Sequence, residues 1–437
     1  MNPAIPSPPA SQPETRNAVL GRFLRGSLGS GVAVLARAGG ALLLNKLLAL
    51  YGGPGGLTLL AHFQNLMAMF TTLPNDGVHV GMVKYLAPLR AGSARFRLWL
   101  GAGIVVNAAV LALGAALLLL GRGPLAGVFQ PSVGWVLLFT LGIGLLTGHA
   151  FLVSVLLAAG RLRAYVWLTV LLSGLGVVAV GGALAASWPV RWALLVYLLA
   201  QGGTVLVSLV VAGRAGLLPR LRGRISPAAL RALSHFLLMA LSLLLFSKAV
   251  DFVMRSVMIR YFSLAQTDLW QAVAKLSDNY TMVFSAVMGS VFYPRLAALI
   301  HQPMALRTYM RTVLLLLAPV LALGLGALFL MRHWLLPLLF EQHFAAAAPL
   351  MGPQLLGDWA KFLTWTLLFL LSARAQVGRY VAVQAGSAVL YAVLLAVLLP
   401  RFGLLGAPLA HAVRFGLLLV GTAIGFRNYW LPTSSPV

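Results

Sequence analysis

Apolar runs of about 20 residues recur along nearly the whole of this 437-residue chain, and no other feature limits its fold as much. A helix needs about 20 apolar residues to cross a ~30 Å hydrocarbon layer. Backbone exposed to lipid must also satisfy its own hydrogen bonds, so only helices and closed barrels span membranes. Strand-type alternation is absent, which excludes an outer-membrane barrel. The expected fold is an all-α integral membrane protein of about 12 transmembrane helices. The spacing predicts spans at 28–50, 57–83, 98–120, 133–159, 164–187, 191–213, 233–260, 267–293, 311–336, 347–372, 379–399 and 404–426.

Short Gly-rich or charged connectors, such as Tyr51-Gly-Gly-Pro-Gly-Gly56 and Gly160-Arg-Leu-Arg163, break the runs. The longest basic connector, 214–232, divides the chain into two six-helix lobes, 28–213 and 233–427. Residues 1–27 read as a disordered tail, rich in Pro and Ser at its start, and 428–437 as a second tail. The start carries no apolar stretch of the kind a cleavable signal peptide needs. Tyr51 and Tyr261 open similar Leu-bearing segments at a constant offset of 210, so the lobes are expected to be pseudo-symmetric parallel repeats.

Charge supplies the orientation. The net charge is +25, yet the arginines sit in short loops between apolar runs, so membrane topology explains them better than nucleic acid does. With the N-terminus inside, about 20 basic residues fall on the cytoplasmic side and about 5 on the other. That alternation predicts both termini in the cytoplasm. There is no Cys, which rules out disulfides and thiolate chemistry. No GK[ST] phosphate loop or HxxxH pair is present, so neither direct ATP use nor a metal site is expected, and no cofactor.

The rarest residues carry the functional signal. Of seven acidic residues, Asp76, Asp251, Asp278 and Asp358 lie inside apolar stretches. Seven basic residues do too: Arg37, Lys46, Lys248, Arg255, Lys275, Lys361 and Arg414. A charge at bilayer depth costs about 2.5–3.5 kcal/mol on insertion scales and usually faces a bundle interior or a hydrated cavity. Lys248, Asp251 and Arg255 follow i, i+3, i+7; Lys275–Asp278 and Asp358–Lys361 are i, i+3 pairs. Asp251, Asp278 and Asp358 each lie about 11 residues, or about 16 Å, from the outer end of their spans, close to the bilayer midplane. One polar layer is therefore expected, with the surplus cations meeting an anion such as a phosphate. Structural ion pairing between helices is the plainer alternative.

In the second span, Leu73-Pro-Asn-Asp-Gly77 predicts a kink carrying Asp76 and His79 on one face, a few turns after Gln64 and Asn65. His62, His79 and His149 are placed to line a cavity. Glu341 and His343 read as a solvated loop.

Three blocks resemble one family. They are Lys46-Leu-Leu-Ala-Leu-Tyr-Gly-Gly-Pro-Gly-Gly-Leu57 with Phe63-Gln64 and Gly81-Met-Val-Lys-Tyr-Leu-Ala87; Leu269-Trp-Gln-Ala-Val-Ala-Lys-Leu-Ser-Asp-Asn-Tyr280 with Tyr293-Pro294; and Gln354-Leu-Leu-Gly-Asp-Trp-Ala-Lys361 with Gly403-Leu-Leu-Gly-Ala-Pro-Leu-Ala410. Over roughly 28–426 the chain resembles the bacterial Wzx-type O-antigen and enterobacterial common antigen flippases of the multidrug/oligosaccharidyl-lipid/polysaccharide exporter superfamily. The resemblance implies two lobes around a central cationic cavity, in a bacterial inner membrane. It also implies alternating access and a substrate of undecaprenyl diphosphate carrying an oligosaccharide repeat. Membrane lipids and a polysaccharide polymerase are the expected partners, with the chain acting as a monomer.

Lys46, Lys84, Asp278 and Lys361 fall in the matched blocks. Together with Lys248, Arg255, Lys275, Gln64 and Asn65 the lysines are expected to bind substrate. Asp76, Asp251, Asp278 and Asp358 are expected to pair charges or couple an ion gradient. Three rivals remain: a drug/cation antiporter of the same superfamily, disfavoured by the net positive interior; a membrane glycosyl polymerase or ligase, disfavoured by short outer loops; and a non-transporting scaffold, which leaves the buried charges as an unexplained cost.

Overall fold

The computed structural model describes residues 16–120, 129, 132–218, 226–374 and 376–429. The expected tail over 1–15, most of the 121–132 loop with Arg122, residues 219–225 of the basic linker and the end of the chain from 430 lie outside the described residues. Every regular element among the described residues is helical.

The first half contains α1 (Arg16–Tyr51), α2 (Gly56–Thr72), α3 (Val80–Leu86), α4 (Ala94–Leu120), α5 (Val133–Ala158), α6 (Leu162–Ala185) and α7 (Val190–Arg214). The second contains α8 (Pro227–Leu243), α9 (Val250–Tyr261), α10 (Leu264–Val287), α11 (Tyr293–Ala298), α12 (Pro303–Leu330), α13 (Arg332–Leu339), α14 (Ala348–Ala373), α15 (Val377–Phe402) and α16 (Gly406–Gly425). Helix α1 starts at Arg16, so residues 16–27, assigned to the tail from composition, are helical. Serines open several helices by accepting a backbone N–H: Ser132 from Trp135, Ser226 from Ala229 and Ser263 from Gln266. The expected span 311–336 is interrupted at Met331. There Arg332 donates to the Phe329 carbonyl at 2.8 Å and lies 4.0 Å from the Phe329 ring centroid, a cation that ends the apolar run.

Nine stretches among the described residues are long and apolar enough to cross a membrane, and one of them, Val377–Gly425, holds two helices joined at Gly403–Leu405. The two long helices not among them are α2–α3 and α10–α11, which carry Gln64, Asn65 and Asp76, and Lys275 and Asp278. Both are continuous through a wide π-helical turn, at Leu73–His79 and Met288–Phe292. A third such turn, Leu244–Ala249, joins α8 to α9. The kink expected at Pro74 is thus absorbed as a π-turn, which accommodates the missing N–H without breaking the helix. π-Bulges are frequent at functional sites, and all three lie in helices that face the other half.

Within the first half α7 packs on α5 and α6, and α1 on α6. Within the second half α16 packs on α14 and α15, and α12 on α14. The halves meet at two seams. At the end bearing the 52–55 loop, Asp268 of α10 accepts the backbone N–H groups of Gly55 (2.7 Å) and Thr58 (2.6 Å), and Lys46 donates to the Leu338 carbonyl at 2.6 Å. His62 stacks on Phe252 with centroids 4.4 Å apart. Toward the arginine-rich end, α8 packs on the 73–79 turn. A Cβ on Gly77 would meet Leu237 Cδ2 at 3.0 Å, and Leu237 Cα and Ala240 Cβ at 3.3 Å. Gly77→Leu is therefore expected to force α8 outward, at a cost of about 1–3 kcal/mol for overpacking. Thermal unfolding in detergent should show a lowered midpoint; an unchanged midpoint would mean the seam is loose.

Candidate functional site

A polar cavity lies between the halves, and both helices too polar to stand among the apolar spans contribute to its wall. It is divided in two. The first chamber, of about 470 Å³, is enclosed by α2, α9, α10, α14, α15 and α16 together with the 244–249 turn. Five basic side chains line it, Lys248, Arg255, Lys275, Lys361 and Arg414, against two carboxylates, Asp251 and Asp278. The i, i+3, i+7 face on the seventh span and the i, i+3 pair on the eighth therefore point into the same space. This is the polar layer expected from their depth.

Each cation is held differently. The Arg255 guanidinium, 8% exposed, donates from Nε to Gln271 Oε1 at 2.9 Å. With the Asn65 amide turned to face donors, its oxygen accepts from Arg255 Nη1 at 3.2 Å and from the Phe252 N–H at 2.7 Å. That contact crosses from one half to the other. Lys275 also crosses, donating from Nζ to Gln64 Oε1 at 2.5 Å. Arg414 donates to Ser387 Oγ at 2.7 Å and lies over the Tyr391 and Phe415 rings.

Asp358 sits behind this chamber with no solvent exposure. It accepts from Lys361 Nζ (2.5 Å), Ser277 Oγ (2.6 Å), Gln354 Nε2 (3.3 Å) and the Tyr280 hydroxyl, with His411 Nε2 at 3.0 Å. Of the paired spacings read from the sequence, only Asp358–Lys361 forms an ion pair. Asp251 and Asp278 make no hydrogen bond or ion pair among the described residues. Burial explains the difference. A dry carboxylate must be fully paired, whereas Asp278 is exposed to the cavity and Asp251 half-buried. Lys275, free of any need to neutralise Asp278, reaches Gln64 instead.

The second chamber, of about 840 Å³, is lined by the first half except for Met282 of α10, and has a different character. Gln64 lines both chambers. Asp76 lines the second and also a smaller cavity of about 380 Å³ beside α8 and α15. Of the histidines read as cavity-facing, His79 and His149 line this chamber. His62 does not; it is stacked between Phe129 and Phe252.

Two expected site residues are elsewhere. Lys46 is engaged with Leu338 at the far seam. Lys84 is exposed, 5.3 Å from the Phe236 ring centroid. Both occupy the family-like blocks, but a chain position within a block does not fix depth or facing. Gln271 and His411 were missed as site residues, and Arg414, counted among the interior cations with snorkelling and cavity lining both open, lines the first chamber. His411 and Arg414 are i, i+3 on one helix, the same signal that singled out the other pairs. Asp268 was also missed, because it lies at a span edge where a charge is cheap.

No family model matches the chain. Its fold matches an inward-facing multidrug resistance MATE family transporter of the MOP superfamily, with TM-score 0.73 and 13% identity over 90% of this chain and 94% of that one. It also matches the lipid II flippase MurJ in an inward closed conformation, with TM-score 0.67 and 10% identity over 92% and 87%. The Vibrio cholerae MATE transporter VcmN in the bent form gives TM-score 0.61 and 13% identity over 95% and 99%. The fold is thus the one shared by these structures, a polytopic helical membrane architecture with a polar cavity between its halves. In sequence the chain is similar to the lipid III flippase of Escherichia coli (strain K12), 26% identical over 407 residues that cover 90% of this chain and 95% of that protein. The Shigella flexneri lipid III flippase matches equally. The likeness to lipid-carrier flippases expected from the three blocks therefore holds along 90% of the chain.

Proposed function

We propose that this chain flips undecaprenyl-diphosphate-linked oligosaccharide repeat units from the cytoplasmic to the periplasmic leaflet of a bacterial inner membrane. The observation that carries this reading is the first chamber, where five basic side chains face two carboxylates at membrane depth. An interior of that sign attracts a diphosphate and repels an organic cation, which disfavours drug antiport despite the shared fold. The relatives in sequence are named flippases, transporters rather than enzymes. With the arginine-rich ends in the cytoplasm, both termini are cytoplasmic, and the Asp268–Gly55 seam seals the periplasmic side. The cavity is built by one chain, which supports a monomer as the working unit, with a polysaccharide polymerase as the consumer of the flipped lipid. Asp251 and Asp278, free of ion pairs, are the carboxylates placed to couple an ion gradient.

Reconstitution tests the flipping, the single-chain unit and the ion coupling together. Vesicles holding on average one chain or fewer, and no polymerase, are loaded with undecaprenyl diphosphate bearing a labelled N-acetylhexosamine. Native protein is expected to move the label across, with dependence on an imposed proton or sodium gradient that Asp251→Asn or Asp278→Asn removes. Movement of ethidium but not of the lipid would overturn the proposal. Gradient dependence surviving in both variants would overturn the coupling alone.

A further inference from the structure

The larger chamber lies apart from the cation cluster, and its chemistry suits a different part of a lipid-linked substrate. Resting on the flippase reading above, we infer that the first-half chamber is a glycan subsite that holds the neutral, hydroxyl-rich sugar while the second-half chamber holds the diphosphate. The carrying observation is the contrast across Gln64. On one side stands the cluster of cations. On the other lie about 840 Å³ bounded by α1, α2, the 73–79 turn, α3, α5, α6, α7 and Met282 of α10, with Arg37 and Asp76 as its formal charges and hydroxyls, amides and rings set among aliphatic side chains as its wall. That volume lies within the ~300–1,000 Å³ typical of sites that enclose a ligand.

The wall has the groups that recognise sugars. Tyr165 and Tyr197 supply aromatic faces for the C–H side of a pyranose, and Thr169, Ser173 and Gln201 supply donors and acceptors. His149 is fixed through Nδ1 by the hydroxyls of Thr204 (2.9 Å) and Ser208 (2.8 Å), while Nε2 has no partner among the described residues. A sugar hydroxyl both donates and accepts, so it satisfies that nitrogen in either tautomer. Asn75 Oδ1, on the π-turn, is buried without a hydrogen-bond partner and lines the same chamber. An orphaned buried acceptor is costly unless something donates to it. The boundary side chain, Gln64, already holds Lys275. A phosphate at Lys275 therefore puts the adjoining sugar at the mouth of the second chamber, in the order in which the substrate is covalently joined.

The test compares two probes by native mass spectrometry on the full-length protein: undecaprenyl diphosphate, and undecaprenyl diphosphate bearing one N-acetylglucosamine. Native protein is expected to bind the sugar-bearing lipid about tenfold more tightly, equivalent to about 1.4 kcal/mol. Gln201→Ala and Asn75→Leu should erase that ratio while leaving the sugar-free affinity in place. Ala41→Leu, which adds bulk from α1 without removing a polar group, should erase it too and guards against a folding artefact. Lys275→Ala should weaken both lipids by the same factor. Equal binding of the two lipids by native protein, or an unchanged ratio in all three chamber variants, would overturn the glycan subsite and leave the flippase reading standing. Binding of neither lipid by native protein would overturn both.

Discussion

Replacing Asp358 with Ala is expected to abolish stable folding or come close to it, with a cost of about 3–5 kcal/mol. Few membrane-protein contacts reach that size, since interhelical hydrogen bonds in bilayers average only ~0.6 kcal/mol. Asp358 is exceptional because its carboxylate is fully buried and gathers five side chains from three helices. Ser277 and Tyr280 come from α10, Gln354 and Lys361 from α14, and His411 from α16. Truncation removes the acceptor for all of them at once. It also leaves the Lys361 ammonium, 9% exposed, with only Thr281 at 3.0 Å and the rings of Phe362 and Trp365 beside it. Against a total stability of about 5–15 kcal/mol, such a loss should appear as low yield and a collapsed thermal midpoint in detergent. Asp358→Asn keeps one acceptor oxygen and should fall between. Asp278→Ala, at an exposed carboxylate without partners, should melt close to native. If Asp358→Ala melts as native does, the hub is an accident of packing rather than the joint that holds α10, α14 and α16 together.

How much of this was legible in the sequence follows from what sequence encodes. Hydrophobic run length is a one-dimensional property, so the spans were readable to within a few residues wherever an apolar run ended at a charge or a glycine. It failed at Met331, where Arg332 ends α12 six residues before the expected boundary. Helical spacing is also one-dimensional. It correctly placed Lys248, Asp251 and Arg255 on one face, and Asp358 beside Lys361. What spacing cannot encode is which neighbour a long side chain chooses. Lys275 passes over Asp278, three residues away, for Gln64, 211 residues away, because the latter is set by how the halves dock. The same holds for Asn65 with Arg255 and for Asp268 with the start of α2. The second chamber was legible only in Arg37, Gln64, Asp76, His79 and His149, because Tyr, Thr, Ser and Gln scattered on α6 and α7 look like ordinary tolerated polar residues until those helices are packed against α1 and α5.

Lys275→Met should leave the protein folded and remove most of its affinity for a diphosphate lipid, by about 10- to 100-fold. The argument rests on which cations of the first chamber are already in use. Arg255 is tied to Gln271 and Asn65, Lys361 to Asp358, and Arg414 to Ser387. Lys248 has no hydrogen bond or ion pair among the described residues, and Lys275 has one neutral acceptor, Gln64. These two ammonium groups are therefore the ones an incoming anion can claim. A hydrogen bond to a charged group is worth about 1.5–3 kcal/mol, and each ~1.4 kcal/mol is a factor of ten in affinity. Met preserves the length and apolar stem of the side chain. Removing one charge from a chamber that holds five cations against two carboxylates relieves repulsion, so the thermal midpoint should stay level or rise slightly. Lys275→Arg should retain most of the affinity, because the charge rather than the shape is required. Arg255→Met is the informative contrast: it strands Gln271 and Asn65 in a buried seam, so it should lower stability and binding together. Lipid titration alongside thermal unfolding separates the two. Native-like binding by Lys275→Met would move the diphosphate away from Lys275 and leave Lys248 as the unclaimed cation of the chamber.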